Sequence, residues 1–383
     1  MHLKKWLIMA TLLWLSVACT TQQLRLDRAN LQPVSLQQAS TMIGDTLFTS
    51  VYKHQTLLDK VKSKPVAVDW FVDGYSQEQL EISQDILKYL ENSAKQHKIK
   101  RLVQFDRYAL QQSKFLIQGS ITLEPHPSAG NKLYHLKAIA RNLKTKQIVA
   151  SADAWLADSN LNYQTTPEFK DSPVYNLLKK PINLEAVKTT TEIQALLNEA
   201  GQLYAKHQYS QALTLYQEAA AQPNGQVLRT YAGLYIIYLQ LDQTNAASQA
   251  FNKLLELNFK QSPVLTLKIL FKVGSEEFYG DHLVQNQYKL WIKNIGQYLQ
   301  ASNRCLIVAG HSSRSGSASF NEGLSLKRAT TVQNLMQEET PAVVGKIKAE
   351  GKGFSENIIG SGTDNEQDKL DRRTEFKLSD CSI

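Results

Sequence analysis

Residues 264–383 alternate short apolar stretches with longer amphipathic ones, and this order restricts the possible folds more than any other feature of the chain. A strand is expected at LKILFKVGSEEF, then a helix through Leu299, and then a buried strand at CLIVAG from Cys305. A Ser-rich loop leads into a helix with Leu324 and Val332 on one face, and KIKAEGKGF and DRRTEFKL follow as strands. The segment therefore predicts a β-α-β-α-β-β domain.

The Ser-rich loop and the helix after it have the sequence GHSSRSGSASFNEGLSLKRATTV. Gly310-His311-Ser312 could open the strand-turn-helix motif that exposes a catalytic serine. That motif needs Gly two residues after the nucleophile, where this chain has Arg314. No nucleophile, base or metal-ligand cluster stands out elsewhere in the sequence. We therefore expect a protein that is not an enzyme and needs no cofactor or metal.

The pattern GH..R.GS...N..LS..RA with a closing DRR.EF resembles the OmpA-like (OmpA/MotB/Pal) peptidoglycan-associated domain. The positions that carry the resemblance are Asn321, Leu324, Ser325, Arg328, Ala329, Asp371, Arg372 and Arg373. The resemblance implies that the loop and the following helix hold the diaminopimelate residue of the peptidoglycan stem peptide. This residue presents an ammonium group and a carboxylate side by side.

The implied ligand site consists of Ser312, Ser313, Asn321 and Arg328. A forked guanidinium suits a carboxylate, and the resemblance gives that role to Arg328. The family has Asp where this chain has Ser313, so contact with the ammonium loses a charge and binding weakens by about 1 to 3 kcal/mol. Such a loop could bind cell wall weakly, recognise a differently amidated stem peptide, or contact a protein. A purely structural alternative is a salt bridge from Arg328 to Asp371 or Glu375.

The N terminus has the form of a secretory signal. Two lysines precede an apolar run at residues 6–18 that is too short to span a bilayer. The run ends Leu-Ser-Val-Ala-Cys, which resembles the bacterial lipobox with Ser16 where Leu is usual. We expect residues 1–18 to be removed and Cys19 to be acylated, and Thr20 favours the outer membrane by the same resemblance. An ordinary signal peptide with an incidental cysteine is the alternative.

The cysteine count and the charge add two expectations. Lipidation of Cys19 leaves Cys305 and Cys381 in an oxidising compartment, where a disulfide is favoured over a pair of buried thiols.

The chain has 43 Lys and Arg against 35 Asp and Glu, a formal net charge of +8. These cations are scattered along the sequence, so we expect no nucleic-acid partner, whereas a membrane surface suits the charge.

Residues 19–33 are polar and are expected to form a tether between the membrane and the first domain, which is expected at residues 34–180. Ser35 with Gln38 and Ser76 with Gln79 predict helix starts. Strands are expected at VAVDWFVD and at 115–123, 133–141 and 148–156. The order predicts a helix-backed, mostly antiparallel sheet, which resembles the periplasmic domain shared by CsgG, FlgO and LpoB.

Residues 188–262 change to a helical pattern with an internal offset of 35 residues, in which Tyr209 and Tyr216 are answered by Thr244 and Phe251. The pattern resembles tetratricopeptide (TPR) repeats. Two repeats bury too little apolar surface to stand alone, so they should lean on a flanking domain or a partner. An incidental α-hairpin is the alternative.

The sequence as a whole predicts a multi-domain α+β protein. The expected function is that of an outer-membrane lipoprotein, facing the periplasm, that contacts peptidoglycan through residues 264–383 and scaffolds or activates an envelope assembly. The partner protein in that assembly is not identified by the sequence. The alternative is an assembly or secretion subunit in which the OmpA-like domain is a protein contact only.

Overall fold

A computed structural model of the chain describes residues 32–187, 190–272, 274–359, 362 and 367–381. Cys19, residues 1–18 and most of the predicted tether lie outside these ranges. The helices are α1 Leu36–His54, α2 Leu57–Val61, α3 Ser83–Gln96, α4 Arg107–Gln112, α5 Pro167–Asp171, α6 Thr191–Ala205, α7 Tyr209–Ala221, α8 Leu228–Gln240, α9 Thr244–Gln261, α10 His282–Ser302 and α11 Ala318–Glu339. The strands are β1 Val66–Val68, β2 Val72–Asp73, β3 Leu102–Gln104, β4 Phe115–Pro125, β5 Lys132–Asn142, β6 Ile148–Leu156, β7 Val174–Tyr175, β8 Val264–Leu267, β9 Cys305–Gly310, β10 Ile347–Gly351 and β11 Thr374–Ser379.

The first sheet has the order β3-β1-β4-β5-β6, and β2 also pairs with β4. Its three long strands are antiparallel and lie within two residues of the predicted positions. The three short strands β1, β2 and β3 instead pair in parallel, so the sheet is mixed and the antiparallel prediction holds for the long strands alone. The predicted strand VAVDWFVD is divided into β1 and β2.

Helices α1 and α3 cover one face of this sheet. Ser35 and Gln38 form the predicted capping box, and Ala39, Ile43 and Leu47 recur every four residues on the buried face of α1. The second helix start was predicted wrongly. Asp73 Oδ1 accepts the Ser76 amide at 2.6 Å, which holds Ser76 in a turn, and α3 begins seven residues later.

The helical region forms two hairpins, α6–α7 and α8–α9, and shares one hydrophobic core with the C-terminal region. Trp291 on α10 donates through Nε1 to the Tyr235 hydroxyl on α8 at 2.6 Å. The Trp291 ring also stacks on Phe251 of α9, with ring centroids 6.3 Å apart. The hairpins therefore bury their apolar face against α10, as two isolated repeats require.

A buried polar network joins the hairpins to the first sheet. Arg229 on α8 forms a bidentate ion pair with Glu168, with both N–O distances at 2.8 Å. Asn198 on α6 donates to Asp69 at 2.7 Å and to the Phe105 carbonyl at 3.0 Å. Arg229 also donates to the Asn198 amide oxygen at 3.0 Å, which makes the two pairs one connected network.

The second sheet has the order β10-β9-β11-β8-β7. Its elements after α9 follow the predicted β-α-β-α-β-β order. The first strand is displaced from its predicted position, since β8 ends at Leu267, and within the rest of LKILFKVGSEEF an isolated bridge pairs Phe271 with Phe278 across a turn. β7, at residues 174–175, pairs with β8, so the segment assigned to the first domain contributes a strand to this sheet.

A disulfide joins Cys305 and Cys381, with the two Cα atoms 4.9 Å apart. The strand register explains it, because Ser379 at the end of β11 lies opposite Cys305 at the start of β9. The predicted pairing of these cysteines is present in the structure. No helix of the described residues is both long and apolar enough to span a bilayer.

Candidate functional site

The Ser-rich loop leaves the end of β9, where two strands and a helix meet closely. Gly310 lies so near to α11 that a Cβ atom there would be 2.2 Å from the Ser325 carbonyl oxygen. The Lys352 amide donates to the Gly310 carbonyl at 2.9 Å, and the Ser325 hydroxyl accepts from the Gly353 amide at 2.9 Å. These contacts fix the position from which the loop starts.

Asn321 holds the loop in shape. Its Nδ2 donates to the Ser315 carbonyl at 2.6 Å and to the Ser317 carbonyl at 3.1 Å. Ser317 in turn caps α11, because its hydroxyl accepts from the Phe320 amide at 3.3 Å. The amide nitrogen of Asn321, a predicted ligand residue, is thus used by the loop, which makes Asn321 a positioning residue in this structure.

Ser312 and Ser313, the two predicted ligand serines, are buried parts of the loop. The Ser313 hydroxyl lies 3.2 Å from the Ser315 hydroxyl. The Ser312 amide donates to the Gly353 carbonyl at 2.8 Å, whereas its hydroxyl oxygen is buried and has no hydrogen-bond partner among the described residues. A buried hydroxyl without a partner costs free energy, so this oxygen needs a partner that the described residues do not supply.

Arg328 projects from α11 toward the turn that follows β8. Its Nε donates to the Ser275 carbonyl at 2.9 Å, and its Nη2 donates to the Lys272 carbonyl at 3.1 Å. The guanidinium carbon lies 5.1 Å from the centre of the Phe271 ring. The forked donor predicted to meet a carboxylate is therefore oriented by backbone carbonyls of this turn. The sequence did not indicate that Lys272 and Ser275 orient Arg328, because their segment was predicted to be a strand.

The two carboxylates proposed as structural partners of Arg328 have other contacts. Asp371 Oδ1 accepts from the Ile358 amide at 2.6 Å and from the Ile359 amide at 3.1 Å. Glu375 pairs with Arg373 Nε at 2.7 Å and with Lys377 Nζ at 3.2 Å. Both carboxylates thus help to hold the segment that packs beside the loop.

A buried histidine lies directly behind the loop. His311 Nε2 is 3.6 Å from Glu375 Oε2, which is too long for a hydrogen bond, and both ring nitrogens lack a partner among the described residues. Burial lowers the pKa of His311 and favours the neutral ring. Burial alone would raise the pKa of Glu375, but the positive charge of Arg373 outweighs it and holds this pKa well below its usual range.

His311, Glu356 and Glu375 could together offer three ligand atoms within 4.8 Å of one another. Protein cations already occupy this cluster, however. Arg373 pairs with Glu375, and Lys377 lies 3.2 Å from Glu375 and 3.6 Å from Glu356. A divalent cation would have to displace Lys377 and bind beside the Arg373 charge, so this arrangement suits a metal poorly.

Residues 271–370 match the family model described as the OmpA family. This range contains the turn whose carbonyl groups contact Arg328, the Ser-rich loop and α11. The C-terminal region is therefore an OmpA-like domain. No curated protein matches the chain.

Several solved structures are similar to part of the chain. The peptidoglycan-associated lipoprotein from Burkholderia pseudomallei is 19% identical, and the match covers 32% of this chain and 98% of that one with a TM-score of 0.26. The cell wall anchor of the T6SS from Pseudomonas aeruginosa is 24% identical, with coverage of 30% and 79% and a TM-score of 0.25. The OmpA-like domain of FopA1 from Francisella tularensis is 20% identical, with coverage of 30% and 75% and a TM-score of 0.23.

Proposed function

We propose that the chain is a non-enzymatic outer-membrane lipoprotein that contacts peptidoglycan through its OmpA-like domain. The observation that supports this most strongly is the OmpA family match over residues 271–370, which includes the loop and the helix that carries Arg328. Acylation of Cys19 would hold the protein at the membrane. Several acyl chains would make the attachment effectively permanent, at about 0.8 kcal/mol per buried methylene.

The proposed ligand is the diaminopimelate of the stem peptide. Arg328 supplies a positive charge for its carboxylate, and carbonyl hydrogen bonds from the 272–275 turn fix the plane of the guanidinium. The Ser312 hydroxyl, buried and unpaired among the described residues, offers a further polar contact. Ser313 contributes no charge toward the ammonium, so we expect weaker binding than an Asp-bearing loop would give.

The remaining domains would connect the anchored protein to an envelope assembly. The first sheet and the two hairpins are joined by the Arg229–Glu168 network, and the hairpins share a core with the OmpA-like domain. A partner bound to one of these units would therefore be held at a fixed position relative to the peptidoglycan site. We also propose that residues 34–180 form a CsgG-like domain and that residues 188–262 form TPR-like repeats.

Co-sedimentation with purified sacculi tests the proposal. The wild-type chain should sediment, and Arg328→Ala should sediment at least tenfold less, because a charge-assisted pair contributes about 1.5 to 3 kcal/mol. Arg314→Ala is the matched control, since Arg314 is an exposed arginine of the same loop whose guanidinium lies 5.9 Å from the Phe354 ring. Arg328→Lys keeps the positive charge but lacks the forked donors of the guanidinium. We expect it to bind sacculi less than the wild type and more than Arg328→Ala.

Failure of the wild-type chain to sediment would contradict the proposal. In that case the protein-contact function becomes the better account, and the presence of Ser313 in place of Asp favours it. Unchanged near-UV circular dichroism of the Arg328 variants distinguishes a lost ligand contact from a disturbed 272–275 turn.

A further inference from the structure

Helix α2 presents three aliphatic side chains to solvent on one turn. Leu57, Leu58 and Val61 are 83%, 59% and 78% exposed, although most leucines and valines of the chain are packed in the cores. Positions 57 and 61 are four residues apart and positions 58 and 61 are three apart, so the three side chains share one face. This face is unusual because three apolar side chains are clustered where most of their surface is open to solvent.

The turn that carries these side chains is well fixed. The Thr56 hydroxyl accepts from the Asp59 amide at 3.2 Å, and Asp59 Oδ2 accepts from the Thr56 amide at 3.0 Å, which forms a capping box. Lys114 then pairs with Asp59 at 2.8 Å from the body of the domain. The apolar face therefore projects from a rigid support.

Lysines surround the apolar face. Lys53, Lys62 and Lys64 are exposed, and Lys60 lies 3.9 Å from the centre of the Tyr52 ring. The one acid of this segment, Asp59, is buried and neutralised by Lys114 and Lys64. The surface formed by residues 53–64, called the α2 tip below, is thus apolar in the centre and cationic at its edge.

This composition favours a lipid surface over a protein as the partner. Protein interfaces are enriched in aromatic residues, Met and Arg and are depleted in Lys, whereas the exposed side chains of the α2 tip are three aliphatic ones and three lysines, together with His54 and Thr56. Lysines near a membrane extend to anionic headgroups while adjacent aliphatic side chains enter the acyl boundary. Each lysine close to an anionic surface adds to the attraction.

We propose that the α2 tip is a membrane-contact site that inserts Leu57, Leu58 and Val61 into the interface of a bilayer containing anionic phospholipids. The inference goes beyond the proposed function, because it depends neither on acylation of Cys19 nor on the peptidoglycan site. It gives the first domain its own orientation toward a membrane.

The test places a polarity-sensitive fluorophore at the tip. Leu58→Cys is labelled in the full chain with Cys19 replaced by Ala and the native disulfide intact, and is mixed with phosphatidylcholine vesicles with or without phosphatidylglycerol. The emission of the label should shift to the blue with phosphatidylglycerol and stay unchanged without it. The matched control is Leu283→Cys, which is 71% exposed at the start of α10 and is expected to show no shift with either vesicle.

The charge requirement is tested separately. Lys53→Gln with Lys62→Gln should weaken the partition measured at residue 58 by on the order of tenfold, while Lys206→Gln with Lys289→Gln, two exposed lysines outside the α2 tip, should leave it unchanged. The readout is local, so attachment through the N terminus cannot mimic it. An unchanged emission at residue 58 on anionic vesicles would overturn the proposal and leave an acidic protein surface as the partner of the tip.

Discussion

Removal of the Cys305–Cys381 disulfide should selectively destabilise the OmpA-like domain. The bridge spans 76 residues, and closing a loop of this length reduces the entropy of the unfolded chain by an amount worth about 4.5 kcal/mol on the chain-entropy model. Cys305 is buried and Cys381 is exposed. Cys381→Ser therefore removes the bridge without creating a cavity, which separates the effect of the cross-link from that of packing.

Native-state hydrogen exchange followed by mass spectrometry measures this effect. Amides of β9 and β11 remain paired when the bridge is absent, because their ladder runs from Thr374 to Ser379. They should nevertheless exchange on the order of a thousandfold faster, since each 1.36 kcal/mol is a factor of ten. Amides of β4 and β5 in the first sheet are the internal control and should change far less.

Two results would contradict a stabilising role of the disulfide. If β9 and β11 exchange less than tenfold faster in Cys381→Ser, the cross-link contributes little to the free energy of unfolding. If the protein isolated from its native cells contains two cysteines at 305 and 381 that can be alkylated, the bridge does not form in the cell.

Three further predictions concern other parts of the chain. Cys19→Ala should release soluble or unprocessed protein, and unchanged fractionation and electrophoretic mobility would contradict acylation. Ser313→Asp should tighten sacculus binding about 5- to 150-fold by restoring a charge for the ammonium, a gain that misfolding cannot produce; weaker binding would exclude a diaminopimelate site. Burial raises the pKa of Asp69 to about 6, so wild-type stability should fall as pH rises from about 4 to 6, by on the order of 3 kcal/mol. Asp69→Asn keeps the acceptor for Asn198 and should remove this loss, and urea midpoints at pH 4 and pH 7 that change equally in both proteins would contradict it.

The parts of the fold that were predicted correctly depend on local patterns. The long strands β4, β5 and β6 are rich in apolar residues over nine residues or more, and the Ser35 capping box is encoded within four positions. The strand after α9 was misplaced because Phe271 and Phe278 give a strand-like apolar pattern, although they face each other across a turn. The parallel pairing of β1 with β3 and β4 depends on contacts far apart in sequence, which no local pattern encodes.

The candidate site, too, was predicted where it depends on local sequence and missed where it depends on distant contacts. A motif could place Ser313 and Arg328 in one loop–helix unit, because their spacing is local. It could not show that Arg328 is oriented by carbonyls of Lys272 and Ser275, which lie more than fifty residues earlier in the chain. The α2 tip was missed for another reason: hydrophobic patterns indicate burial, and exposed leucines are recognised only when the surrounding structure is known.

Competition by a defined stem peptide measures directly whether the loop and Arg328 recognise diaminopimelate. The full chain is bound to sacculi, and soluble muropeptide containing diaminopimelate is added; lysine-containing muropeptide, which lacks the side-chain carboxylate, is the matched competitor. If Arg328 receives that carboxylate, the diaminopimelate form should release the protein at a concentration at least tenfold below that of the lysine form. Equal release by both, or release by neither, would contradict recognition of diaminopimelate by this loop.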